Sequence, residues 1–423
     1  MRWDLGLTSA LGTLVIHSGH RHSPQRMLST LKQLARTQLD RISLPLPAKR
    51  ERRRDAQGLP TSDPGIAAVE TAALGWLGDA QDNAATRDGG AARDFSLVKG
   101  WAASYPETSG YIVPTLIDAG LRRNDPALLD RARRMTDWLV GIQFAEGGFQ
   151  GGTIGAQPCV PVTFNTGQIL MGLAAARRQF GDVYAEPMHR AAGWLVDTMD
   201  PDGCWRKFPT PFAAPGEKAY ETHVAWGLIE AARSTADAAV ADRYVEAALR
   251  NARWAITKQH PNGWFDSCCL VLPDAPLTHT LGYALRGLTE IYLQTSEPDI
   301  LAASVRTADA LSACVAADGF LAGRLDRSWT GAVNWACVTG SAQIAHSLLI
   351  LHKELRRPDY RDAAVALLSY ARRTVHLDGP TGVRGGVKGS FPVDGGYGTY
   401  EFLNWAAKFL IDAGQAELTL RSA

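Results

Sequence analysis

PNGWFDSCCLVLPDAPLTHTLGYALRGLTEIY, residues 261–292, contains the unit from which the chain is built. A tight glycine loop (Asn262, Gly263, Trp264) gives way to an irregular polar segment. An apolar helix follows, carrying the pair Gly287-Leu288. The order recurs: Gly148, Gly203 and Gly263 each stand 24 residues before a Gly-Leu pair, at Gly172-Leu173, Gly227-Leu228 and Gly287-Leu288. An amphipathic segment precedes each loop. The one opening at Asp125-Pro126 places Leu128, Ala132, Met135, Leu139 and Ile142 at helical spacing. Asp63-Pro64 opens another, because proline fits the first helical turn, where its missing N–H costs nothing.

Large apolar residues close these outer segments: Trp138, Trp194, Trp254, Leu311 and Tyr370, spaced 56, 60, 57 and 59 residues apart. The spacing predicts further outer helices from about Tyr184, Ala241, Pro298 and Pro358. Partner helices are expected to begin near Gly110, Gly167, Thr222, Gly282, Ala342 and Asn404. They are richer in Gly, Ala and Leu (MGLAAA, WGLIEAA, IAHSLLIL) and read as apolar nearly all round, hence inner. No such pair can bury its face alone, so neighbours must stack. Six pairs, inner and outer, close most economically into an all-α (α/α)6 toroid, expected over residues 59–423. Residues 1–58 read as a basic N-terminal arm.

Composition narrows the function. The 423 residues carry a net charge of +1, which argues against nucleic acid as the main partner. The six cysteines lack metal-finger or secreted-scaffold spacing and read as reduced thiols of a cytoplasmic protein. No apolar run is long enough to span a bilayer. The opening MRWDLGLTSALGTLVIHSGH is interrupted by Asp4 and reads as no signal peptide. Residues 21–54 hold ten Lys or Arg against two acids. Pro24 to Asp40 there suggests a short amphipathic helix. This arm reads as solvated, or as a contact with an anionic surface.

In a toroid, every loop from an outer to an inner helix emerges at one mouth, and polar residues gather in those loops. Candidate catalytic groups are Glu107, Glu221, His223, Asp266, His279, Tyr400 and Glu401. Candidate substrate-binding groups are Tyr111, Asn165, Trp264, Tyr283, Trp335, Arg384, Lys388 and Tyr397. Aromatic faces stack on sugar rings, and carboxylates bind hydroxyls or move protons. Plain alternatives stand beside these. Glu107 caps a helix turn, Asp266 stabilises its loop, and the glycine-dense run from Arg384 to Glu401 only closes the ring. As a lid, that run would use Arg384 and Lys388 to grip an acidic group. His352 and His376 are placed on the surface. No cofactor or metal is required.

The paired pattern, with aromatic glycine loops and polar inner-helix starts, resembles the six-hairpin toroid superfamily of carbohydrate-active enzymes. Within it, Trp264, Phe265, Asp266, Pro276, Gly282-Tyr283 and Gly287-Leu288 look like a run in the helical domain of glucuronyl C5-epimerases. That resemblance implies proton transfer by tyrosines and a glutamate, for which Tyr397, Tyr400 and Glu401 are the nearest counterparts. NWACVTGSAQIA, with Cys337, slightly resembles the cysteine-bearing helix starts of lanthionine cyclases. There Cys268 or Cys269 and His279 would complete a zinc set. The expected function is action on an acidic oligo- or polysaccharide, by glycosidic hydrolysis or by uronate epimerisation or elimination. A zinc-dependent toroid and a non-catalytic glycan-binding toroid remain the alternatives.

Overall fold

The computed structural model describes residues 43–421. Contacts divide the chain into Met1–Leu46 and Pro47–Ala423. Only 43–46 of the first unit fall within the described residues, so the suggested helix from Pro24 to Asp40 lies outside them. Helix α1 (Leu46–Asp55) lies in the second unit from Pro47 onward, and among the described residues twelve α-helices follow it in six outer–inner pairs. These are α2 (Ile66–Asp82) with α3 (Pro106–Arg123), α4 (Pro126–Gly141) with α5 (Thr163–Phe180), and α6 (Ala185–Thr198) with α7 (Thr222–Arg233). The others are α8 (Ala238–Ile256) with α9 (Thr278–Thr295), α10 (Pro298–Ala313) with α11 (Val338–Leu355), and α12 (Pro358–Arg373) with α13 (Asn404–Arg421). Inner helices α3, α5, α7, α9, α11 and α13 contact one another in turn, and α13 returns to α3, closing the (α/α)6 ring.

The repeated glycines have two jobs. Gly203 and Gly263 take φ of +94° and +84°, turning the chain at the end of an outer helix. There the loop lies on the next outer helix: a Cβ would stand 2.4 Å from the Arg250 or Arg306 carbonyl oxygen. The glycines of the Gly-Leu pairs act inside the ring. A Cβ on Gly172 would lie 2.3 Å from the Gly110 carbonyl oxygen, and one on Gly227 2.5 Å from that of Gly167. Successive inner helices therefore touch backbone to backbone. That is why these helices are buried on nearly every side, as with the unbroken buried run from Thr163 to Ala176.

Four inner helices start about four residues earlier than their apolar pattern suggests, at Pro106, Thr163, Thr278 and Val338, whereas α7 and α13 start at the expected Thr222 and Asn404. The polar residues assigned to loops occupy the first turn instead, where they face the mouth. Sheet is slight: a three-stranded antiparallel sheet ordered β2 (Gly100–Trp101), β1 (Asp94–Ser96), β5 (Glu401–Leu403), and the pair β3 (Ala336–Cys337) with β4 (Ser390–Phe391). The β1–β5 pairing ties the first hairpin to the last. Buried Arg372 of α12 does the same, with one hydrogen bond of 2.6 Å to Asp63 and another to Glu417.

Gly227→Ala should destabilise the protein by about 1–3 kcal/mol through overpacking at a backbone contact. Gly193→Ala, in α6 with open space at its Cβ, should instead stabilise by about 0.5–1 kcal/mol. Urea unfolding midpoints of the two variants check both signs.

Candidate functional site

The inner-helix first turns converge on a cavity of about 380 Å³, within the range of small-molecule sites. Glu107 and Tyr111 reach it from α3, Phe164 and Asn165 from α5, His279 and Tyr283 from α9, and Trp405 from α13. Loops add Arg93, Tyr105, Phe212, Tyr220 and Tyr397. The wall is aromatic. Phe164 meets Tyr220 at 5.3 Å and Tyr283 at 5.1 Å between ring centroids, and His279 lies 4.4 Å from Tyr283 and 5.4 Å from Tyr397. Trp405 donates its indole N–H to the Tyr397 hydroxyl at 2.9 Å. Asn165 Nδ2 has no hydrogen-bond partner among the described residues.

Burial sets the charge states. Burial pushes the Glu107 carboxyl up to about 7, against the opposing effects of a hydrogen bond from the Tyr105 hydroxyl (2.5 Å) and the Arg93 charge. Its place in the first turn of α3, where a helix favours an anion, does not offset this. Burial likewise lowers His279 to about 4, despite its hydrogen bond with Gln343. Its Nδ1 lies 2.7 Å from Gln343 Oε1. An amide oxygen only accepts, so Nδ1 carries the proton and Nε2 keeps a lone pair. Tyr111, Tyr283 and Tyr397 are held well above the usual phenol range, chiefly by burial, and stay protonated donors. Arg93 is the only lysine or arginine in the lining among the described residues. It donates to Asp94 Oδ2 at 2.5 Å and to Glu401 Oε2 at 3.2 Å, and lies over the Trp405 ring.

Of the residues singled out from the sequence, Glu107, His279, Tyr111, Asn165, Tyr283 and Tyr397 line the cavity. The rest lie elsewhere. His223 sits behind the wall, its Nδ1 2.7 Å from Gln168 Oε1 and its ring 4.4 Å from Tyr283. Glu221 is buried outside the lining, with Oε2 unpartnered among the described residues. Glu401 stands behind Arg93. Tyr400 is a turn residue with φ of +61°, and its amide donates to the Val393 carbonyl at 2.8 Å. Asp266 is exposed on the rim, paired with His260 at 2.7 Å. Trp264 packs on Trp329, and Trp335 covers Gly323 and Gly395.

Two corrections bear on charge. Arg384 lines a separate groove with Trp76 and Asp79. Lys388, expected to grip an acidic ligand, is fully buried and donates to Asp55 Oδ1 at 2.5 Å, with Glu51 Oε1 at 2.6 Å. His376 is buried too, against Glu51. The carboxylates of α1 thus satisfy cations that the sequence pattern left free. Arg93, Phe164 and Phe212 were missed. Arg93 falls in the first loop, which has no earlier repeat to align with, and Phe164 reads as ordinary core.

The residues weighed for zinc form no ligand set. Among the described residues no three His, Cys, Asp or Glu side chains are placed to hold a metal ion, and Cys268 Sγ is turned to the Thr280 carbonyl at 3.4 Å. At the opposite mouth a second cavity of about 410 Å³ is lined by charged side chains that pair with each other. Arg286 meets Glu290 at 2.8 Å and Lys408 meets Asp412 at 2.6 Å. Among the described residues no helix is long and apolar enough to cross a membrane.

No protein-family model and no curated protein matches the chain. Solved structures do. An unsaturated glucuronyl hydrolase specific for heparin superposes with a TM-score of 0.67 at 16% identity, covering 86% of this chain and 99% of that one. The cellobiose 2-epimerase of Spirochaeta thermophila gives 0.66 at 17%, covering 90% and 99%. A D-mannose isomerase gives 0.63 at 12%, covering 85% and 99%. This chain shares the (α/α)6 toroid of these carbohydrate-active enzymes.

Burial raises the Glu221 carboxyl to about 8 from an ordinary 4.5. The folded chain therefore holds a proton that the unfolded chain releases above pH 4.5. Stability from this group is full below about 4.5 and is lost as pH rises through about 8. Glu221→Gln removes the titration. Urea midpoints at pH 5 and pH 8 should show the variant gaining on the parent at the higher pH.

Proposed function

We propose that the protein is an enzyme that moves a proton on a saccharide, with Glu107 as the acid/base. The observation that carries this reading is a single buried carboxyl poised at about 7 in an aromatic cavity. A catalytic pKa near the working pH is the condition under which one group both takes and returns a proton. Hydrolysis by paired carboxylates fits less well, because Glu221, Asp266 and Glu401 lie outside the lining. The reaction we favour is epimerisation or isomerisation of a reducing sugar. Glu107 takes the proton from the carbon beside the carbonyl, and the electron pair moves onto the carbonyl oxygen. Protonated tyrosine hydroxyls donate to that oxyanion. The proton then returns to the opposite face of the same carbon, which gives the epimer, or to the former carbonyl carbon while the hydroxyl proton passes to the oxyanion, which gives the isomer. His279, through Nε2, accepts a hydrogen bond from a sugar hydroxyl.

Charge favours a neutral sugar over a uronate. Arg93 is already shared by Asp94 and Glu401, which leaves no surplus cation in the lining for a substrate carboxylate. The aromatic wall suits the apolar faces of sugar rings.

The test is incubation in deuterium oxide with cellobiose, mannose and an unsaturated glucuronyl disaccharide, followed by nuclear magnetic resonance. Deuterium should enter a carbon–hydrogen bond of a neutral sugar. Turnover of the unsaturated uronide alone, or no carbon-bound exchange in any of them, would overturn the reading. Glu107→Gln should cut the exchange rate by about 10²–10⁴-fold. For a residue acting first as base, kcat/KM should climb with pH and level off above about 7.

A further inference from the structure

We propose that helix α1 is a clamp that holds Tyr397 in the cavity wall, with Lys388 as its joint. Its meaning for turnover rests on the cavity being the saccharide site; the clamp itself does not. The helix sequence, LPAKRERRRD, reads as a solvated basic stretch. Yet Ala48, Glu51 and Asp55, spaced along one helical face, are buried, while Arg50, Arg53 and Arg54 are exposed. A buried acid persists only when paired and hydrogen-bonded, and both acids here are.

They grip the glycine-dense closing loop at two points. Lys388 Nζ donates to Asp55 Oδ1 at 2.5 Å and meets Glu51 Oε1 at 2.6 Å. The other oxygen, Asp55 Oδ2, accepts the Val393 amide at 2.8 Å. His376 Nε2 meets the same Glu51 Oε1 at 2.5 Å, so that oxygen is held by two groups of the closing hairpin at once. The two grips flank β4, and β4 carries the link to Tyr397. Ser390 Oγ donates to the Tyr397 carbonyl at 2.6 Å and accepts the Tyr397 amide at 3.0 Å. Gly389 also lies against Tyr397, where a Cβ would come within 2.5 Å of its carbonyl oxygen.

Between residues 384 and 401 only β4 and the first residue of β5 are regular structure, and six glycines leave the backbone without side chains to anchor it. Without α1, Lys388 would be a buried cation lacking its partners, a state resolved by opening the loop to water. Tyr397 would then leave the wall it forms with His279 and Trp405. Residues 47–55 are thus a positioning element, although none of them touches the cavity.

Hydrogen exchange followed by mass spectrometry on the full chain tests this. In Lys388→Met and in Glu51→Gln/Asp55→Asn, amides of 387–403 should exchange about tenfold faster, the mark of local opening. Helices α5, α7 and α9 should exchange as in the parent. Unchanged exchange over 387–403, or equal acceleration along the whole chain, would overturn the clamp. Should those variants not fold, Glu51→Gln alone, which leaves Lys388 its bond to Asp55, should still accelerate the same stretch and nothing else. No sugar enters the measurement. Local opening in a protein that turns over no saccharide would sink the reading of the cavity and leave the clamp standing.

Discussion

Backbone contact between neighbouring inner helices is the constraint from which the rest follows. Glycines at Gly110, Gly167, Gly172 and Gly227 let α3, α5 and α7 approach until carbonyl and Cα touch. Helices packed that tightly must be small or apolar along their length. They must also run in register, so their first turns share one mouth. Side chains there have no route to bulk water except through the cavity. Position in the repeat, more than residue type, decides which polar groups become chemically unusual.

The electrostatics follow from that enclosure. Glu107 and His279 are moved in opposite directions by one cause, since burial disfavours whichever form is charged. The result is a site whose groups are mostly neutral near pH 7, with tyrosine donors and an imidazole acceptor around a half-ionised carboxyl. Lys388 shows the other outcome of burial. Two carboxylates from a distant helix surround it, and it serves structure instead of binding.

Much of the ring was legible in the chain. The Gly-Leu pairs, the loop glycines and the large apolar closing residues repeat because each hairpin solves the same packing problem, and period alone conveys that. Within the site, first-turn residues such as Glu107, Asn165 and His279 could be singled out because the repeat places them at the mouth. In the closing loop Tyr397 could be singled out too, but most of its neighbours could not. Arg384, Lys388, Tyr400 and Glu401 belong to the one hairpin that meets the chain's beginning, and nothing periodic foretells such a meeting.

The amino-acid sequence by itself determined six hairpins, their order, which helix of each pair is inner, and the shared mouth, because these depend on local periodicity and on glycine's lack of a Cβ. Tertiary structure alone decided which charges remain available. Glu51 and Asp55 meet Lys388 across more than three hundred residues, and Arg93 meets Glu401 across a similar span. Ion pairing depends on distance in space, which the ring sets only once it has closed.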